Sequence, residues 1–151
     1  MMRKVILDDI VNDLLSITPL IRRTIQRKLV RTAFAQIEAD MSLPHIEIIK
    51  TLRDYGTMHI AEIGEKLLIP KPQMTHLIDR LVSLEIIVRQ ADTSDRRTTN
   101  ISLTEKGERI IEEFDTVIKD SIQDKLSGLT EEDLKELSVS LRKLGEVFSR
   151  L

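Results

Sequence analysis

Apolar residues recur at spacings of three and four along most of this chain, the period of a helix with one buried face. Between Val5 and Ala39 the positions Ile6, Ile10, Leu14, Ile17, Ile21, Ile25 and Leu29 mark one long helix. Pro19 lies inside it, removes a backbone hydrogen bond and is expected to kink or restart it. A stripe of that length exceeds what one small core needs, so part of it reads as a surface between subunits. Ser42 and Pro44 suit the cap and first turn of a second helix, with Ile46, Ile49 and Leu52 inward and Gly56 at its end. Thr57 is then expected to cap a short helix over residues 58–67 that buries Ile60, Ile63 and Leu67. Leu68, Ile69 and Pro70 make a tight turn into a further helix, where Met74, Leu77, Ile78 and Leu81 form the buried stripe. Two short helices joined so closely are a helix-turn-helix. The small residues Ala61 and Gly64 fall where the second helix must cross the first.

After Glu85 the period changes to that of a strand. Ile86, Ile87 and Val88 are β-branched, a polar tip runs from Asp92 to Arg97, and Ile101 and Leu103 alternate on the way back. This reads as a two-stranded hairpin in which Asp92 and Asp95 supply turn chemistry. An isolated hairpin is marginal in water, so it must lean on the helix before it. Thr104 caps the next helix, striped by Ile110, Ile111, Phe114, Val117, Ile118, Ile122 and Leu126 and stopped near Gly128. Thr130 caps a last one, with acids in its first turn, where the helix dipole favours them, and Leu134, Leu137, Leu141, Leu144 and Phe148 as its stripe. The expected fold class is mainly α with a small β-wing. On the helix after Pro70, the outward face carries Lys71, Gln73, Thr75, His76, Asp79 and Arg80. Such side chains can bond to base edges and phosphates.

Composition narrows the chemistry. The 151 residues suffice for one core plus a dimerisation appendage, and with 3% aromatic residues that core must be built from Leu, Ile and Val. The absence of Cys excludes structural disulfides and Cys-based metal sites. No secretory pattern and no apolar run of membrane length is present, so a cytoplasmic location without a membrane partner is expected. A net charge of −2 argues by itself against a polyanionic partner. The charges are unevenly spread, however: seven Lys/Arg against three Asp in residues 1–31, and five bases against four acids in 70–103. Arg22, Arg23, Arg27, Lys28 and Arg31 form either a solvated face or part of a footprint for a polyanion. For catalysis no constellation exists. The three His, at 45, 59 and 76, fall on separate elements, and HExxH, GxGxxG and GxxxxGK[ST] are absent. No catalytic residue, cofactor or resident metal is therefore expected.

The order of these segments resembles the MarR family of winged-helix transcriptional regulators. The most specific part is Asp95-Arg96-Arg97 followed by Ile101-x-Leu103-Thr104-x-x-Gly107. Next in weight is Met74-Thr75-x-Leu77-Ile78-Asp79-Arg80-Leu81, and Leu20-x-Arg22-x-x-Ile25-x-x-x-Leu29 precedes both. The resemblance covers nearly the whole chain. It implies a homodimer that binds double-stranded DNA, with dimerisation helices at 1–40 and 108–151 and a winged helix-turn-helix at 41–107. It implies that Lys71, Gln73, Thr75 and His76 meet the major groove, Arg80 and Arg96 meet backbone phosphate, and Arg97 enters the minor groove, oriented by an ion pair with Asp95. Two lobes on a two-fold axis would read a pseudo-palindrome with half-sites roughly one helical turn apart, most simply as a repressor. A small aromatic or carboxylate effector is implied between the dimer helices and the lobe, with Arg22, His45 and Tyr55 placed there by position. Three residues depart from the family: Leu68 and Glu85 stand where Gly is common, and Pro70 where a Ser caps the recognition helix. A left-handed Glu85 would cost roughly 1 kcal/mol. The alternatives are a winged-helix interaction module without DNA, and a metal-responsive regulator using His45, His59 and Glu62.

Overall fold

The computed structural model describes residues 1–37 and 40–151, and of residues 26–30 the backbone alone. The side chains expected at Arg27, Lys28 and Leu29 and the helix end at Ala39 fall outside what is described. Helix α1 (Met2–Ile21) continues through Pro19. The disturbance comes about one turn later, as a π-helical turn over Arg22–Gln26 that leads into α2 (Arg27–Gln36). Pro19 cannot supply its own backbone hydrogen bond, and a π-turn is one way a helix absorbs such a break.

Helix α3 (Leu43–Tyr55) begins after Ser42 and ends at Gly56, whose φ of +79° suits a residue without Cβ. The next expectation is corrected. Thr57 caps no helix; Met58–His59 form a short strand, β1, and His59 is the N-cap of α4 (Ile60–Leu67). Met58 pairs with Ile101 and is buried beside it, while the Thr57 hydroxyl hydrogen-bonds the Ser102 hydroxyl at 2.8 Å. The expected two-stranded hairpin, β2 (Ile87–Ala91) and β3 (Thr99–Leu103), is therefore part of a three-stranded antiparallel sheet of order β1-β3-β2. Two residues are too few to show a period, and only the pairing with β3 turns them into a strand. Helices α5 (Lys71–Ser83), α6 (Glu105–Leu126) and α7 (Glu131–Phe148) lie where the apolar periods put them.

The core lies in the lobe formed by α2 to α6 and the sheet. Ala33, Ile46, Ile48, Ile49, Ile63, Ile78, Leu81, Ile86, Ile101 and Ile111 are fully buried there. All four expected residues of α5 (Met74, Leu77, Ile78, Leu81) are buried; in α4 only Ile63 is, with Ile60 and Leu67 partly covered. Gly64 makes the close crossing, since a Cβ there would stand 3.2 Å from the Ile69 carbonyl oxygen and from Met74 Cγ. Ala61 is exposed. In contrast, α1 and α7 bury no residue at all. Ile10 is 49% exposed and Leu141 57%, so both terminal stripes stand largely uncovered in the single chain.

Among the described residues two non-glycines have positive φ, Leu68 at 55° and Glu85 at 60°. Glu85 turns the chain from α5 into the sheet, and its neighbours hold it there. The Thr104 hydroxyl donates to the Glu85 carbonyl at 2.7 Å, with the Ile86 carbonyl at 3.0 Å, and accepts from the Gly107 N–H at 3.1 Å. The Thr104 N–H also donates to the Ile86 carbonyl, at 3.1 Å. Gly107 packs so closely that a Cβ would run into the Ile86 carbonyl oxygen, with Leu103 Cδ2 at 3.0 Å. Gly107→Ala is therefore expected to destabilise the fold by about 1–3 kcal/mol, the range for overpacking against atoms that cannot yield, as a lower denaturant midpoint will show.

Helix α6 is tied to α3 by charge as well as packing. Asp115 accepts from Arg53 Nη1 at 2.7 Å and lies 3.1 Å from Lys50 Nζ. Partial burial pushes the Asp115 carboxyl up, but hydrogen bonds from Arg53 and Lys50 outweigh it and hold the group below its usual range. A depressed carboxyl stabilises the fold above its unfolded value near 3.8, and that contribution disappears as pH falls through the lower folded value. Asp115→Asn should cost roughly 0.5–1 kcal/mol at neutral pH, since both partners are partly exposed. The gap between variant and wild type should narrow in melts taken below the unfolded value of 3.8 and close as pH falls through the lower folded value.

Candidate nucleic-acid interface

Helix α5 projects its polar face because four inward positions are taken by the core. Lys71, Gln73, Thr75, His76 and Asp79 are exposed and Arg80 is half-buried. The helix starts at Pro70 with no side-chain cap, and Pro72 fills a first-turn position where an N–H would lack a partner anyway. The first turn therefore presents Lys71 and Gln73 uncovered by any capping side chain.

The wing tip is built from aspartate turns. Asp92 Oδ1 accepts from the Ser94 N–H at 3.0 Å and from the Ser94 hydroxyl at 2.8 Å. These two bonds, more than the nearby His59 ring at 3.4 Å, hold the Asp92 carboxyl below its usual range. Asp95 Oδ1 accepts from the Arg97 backbone N–H at 3.0 Å, and its carbonyl accepts from the Thr98 N–H and hydroxyl. The expected ion pair is thus replaced by a backbone bond: an aspartate two residues before a turn N–H reaches that amide more readily than a guanidinium extending into solvent. Arg96 and Arg97 are exposed at the tip, with no ion pair to either among the described residues.

The structure brings the two halves together. A groove of about 690 Å³ runs between the start of α5 and the returning arm of the wing. Lys71 and Thr75 line it from α5, Arg97 from the wing, and Ile60, Leu68 and Met74 from its apolar floor. Arg80 stands apart, at a smaller cleft with His45 and His76. It is held by Asp40, with Nε 3.3 Å from the Asp40 carbonyl oxygen and Nη2 3.8 Å from the carboxylate.

The three effector positions are not gathered in one cavity. His45 is buried at the start of α3, where Nδ1 accepts from the Ser42 N–H at 2.9 Å. Burial, then the Arg80 charge, lowers the His45 pKa, and Asp40 opposes them. Tyr55 lies at the other end of α3, about 15 Å away by helical rise, exposed beneath Lys66 Nζ at 4.1 Å from the ring centre. Arg22 is exposed on the π-turn. Among the described residues no group of His, Asp and Glu is arranged to hold a metal ion, and no helix is long and apolar enough to cross a membrane.

Arg89 is the contact that the periodic reading missed. It pairs opposite Ile101 in the β2–β3 register, so it rises from the core-facing side of the sheet, where an apolar residue is the norm. Its guanidinium meets the Asp79 carboxylate of α5. A charged residue breaking the inward alternation of Ile87 was the available signal.

The sequence pattern of the MarR family matches residues 41–99. Over 107 residues the chain is 33% identical to the uncharacterized HTH-type transcriptional regulator YsmB of Bacillus subtilis, covering 71% of this chain and 73% of that protein. Over 99 residues it is 30% identical to the HTH-type transcriptional repressor MdtR of the same organism, covering 66% and 64%. The fold is similar to the crystal structure of the YusO protein of Bacillus subtilis, with a TM-score of 0.75 at 25% identity over 92% of this chain and 96% of that one. With a helix-turn-helix, a basic wing and relatives of this kind, the chain belongs to the MarR family of helix-turn-helix transcriptional regulators.

Proposed function

We propose that this regulator is a homodimer that binds a pseudo-palindromic DNA site and represses transcription there, with dimerisation helices at 1–40 and 108–151 and a winged helix-turn-helix at 41–107. One observation carries the reading: Lys71 and Thr75 of α5 and Arg97 of the wing line a single concave surface. Side chains that converge in this way suit a duplex whose major groove takes α5 while the adjoining minor groove takes the arginine. In this reading Gln73 and His76 meet base edges, Arg80 leaves Asp40 for a phosphate, and Arg96 stays on the backbone. The uncovered stripes of α1 and α7 support the dimer, because apolar area of that extent is normally covered. Two lobes at a fixed spacing then ask for two half-sites. Repression is the role named for MdtR, and covering a promoter is its simplest physical route.

Titration of genomic fragments or a selected duplex over a salt series tests this reading. Affinity should fall steeply, with a log–log slope of about −5 or steeper for six or more phosphate contacts. A flat response would leave only an interaction module. Arg97→Ala should lose roughly tenfold or more in affinity while light scattering still reports the dimer; unchanged binding would remove Arg97 from the interface.

A further inference from the structure

We infer that Asp79 and Arg89 are positioning residues for DNA binding: their pair sets the gap between α5 and the wing, and with it the place of Arg97. The inference rests on the DNA-binding reading above and deepens it. Lys71, Thr75 and Asp79 follow one another at intervals of four, so they form one row along the edge of α5 that faces the wing. The upper end of this row, Lys71 and Thr75, shares its groove with Arg97. The lower end, Asp79, is bonded to Arg89 of β2.

The wing leaves α5 through Glu85, a single left-handed residue that acts as a pivot. Arg89 lies four residues beyond that pivot and is where β2 is pinned back onto α5. Past it the tip from Asp92 to Thr98 is held by its own turn bonds and by Asp92 beside His59. The spacing between Arg97 and Lys71 therefore depends on the angle that the Asp79–Arg89 pair holds.

Stability does not account for the pair. The two side chains are 54% and 39% exposed, and pairs so exposed to water contribute little to folding. Electrostatics alone disfavours Asp79 as well. It is the only acid in α5, on a face otherwise made of Lys71, Gln73, Thr75, His76 and Arg80, so an uncompensated carboxylate there repels phosphate. A geometric role gives the acid a purpose on that face.

Asp79→Asn separates the two accounts by sign. If Asp79 only adds repulsion, removing its charge tightens DNA binding. As a positioning residue, its loss weakens binding by about tenfold with an unchanged melting midpoint and an intact dimer. Arg97→Ala should then cost much less in the Asp79→Asn background than in the wild type, because a displaced wing no longer places that arginine. In the wild-type background Arg89→Lys should retain part of the affinity that Arg89→Gln loses. Tighter or unchanged binding by Asp79→Asn, or an undiminished Arg97→Ala cost, overturns the inference. Hydrogen exchange in the DNA-free protein adds a readout independent of binding: wing amides 92–98 should exchange faster in Asp79→Asn. Should the wild type bind no duplex, the DNA-binding reading fails; unchanged wing exchange in Asp79→Asn overturns the pair's role in either case.

Discussion

The side of the lobe that carries α5 and the wing hangs from one carbonyl oxygen, that of Ile86. It accepts from the Thr104 backbone, has the Thr104 hydroxyl beside it, and is packed against Gly107 too closely for any Cβ. These contacts bind the end of α5, the start of β2 and the start of α6 into one junction. The left-handed Glu85 just before it costs about 1–2 kcal/mol, and the Thr104 bond to its carbonyl helps hold that conformation. Helix α6 springs from the same junction and is held to α3 through Asp115, so the long helix, α5 and the wing are joined by bonded contacts.

Apolar burial is distributed unevenly along the chain. The described core fills the lobe between α2 and α6, whereas α1 and α7 carry full apolar stripes that cover nothing. Helices of 20 and 18 residues gain most of their stability from packing an amphipathic face, and here no such face is packed within the chain.

Charge is arranged locally, not globally. The chain is net acidic, yet Arg96 and Arg97 stand exposed at the wing tip with their nearest acid, Asp95, turned to a backbone amide. On α5 the reverse holds: Arg80 is engaged by Asp40, and Asp79 by Arg89. Cations at the tip thus face solvent without an acid partner among the described residues, while Arg80 and Arg89 each face a carboxylate. Counting charges over a segment cannot tell these roles apart, since the difference lies in which acid each arginine faces.

Much of this was legible in the linear chain. The helices of the lobe, the turn at Leu68 and the caps Thr104 and Thr130 follow from period and local stereochemistry, which act over a few residues; a left-handed Glu85 was raised only by the family resemblance, which has Gly there. The motif around Asp95 to Gly107 carried the family for the same reason, because its turn and close packing demand particular residue types. What needed tertiary structure was pairing between distant segments. Met58 and His59 are a strand only because β3 lies beside them, and Thr57 is no cap because its hydroxyl faces Ser102. Asp95 reaches an amide and not a guanidinium because of the turn in which it sits, and Arg89 lies on the α5 side of the sheet because the register sets it opposite Ile101. The sequence by itself determined which elements form and which faces are apolar, since backbone sterics and hydrophobic spacing are local. Only the three-dimensional arrangement decided which acid meets which arginine, since the energy of such a pair depends on a separation that the chain's order does not contain.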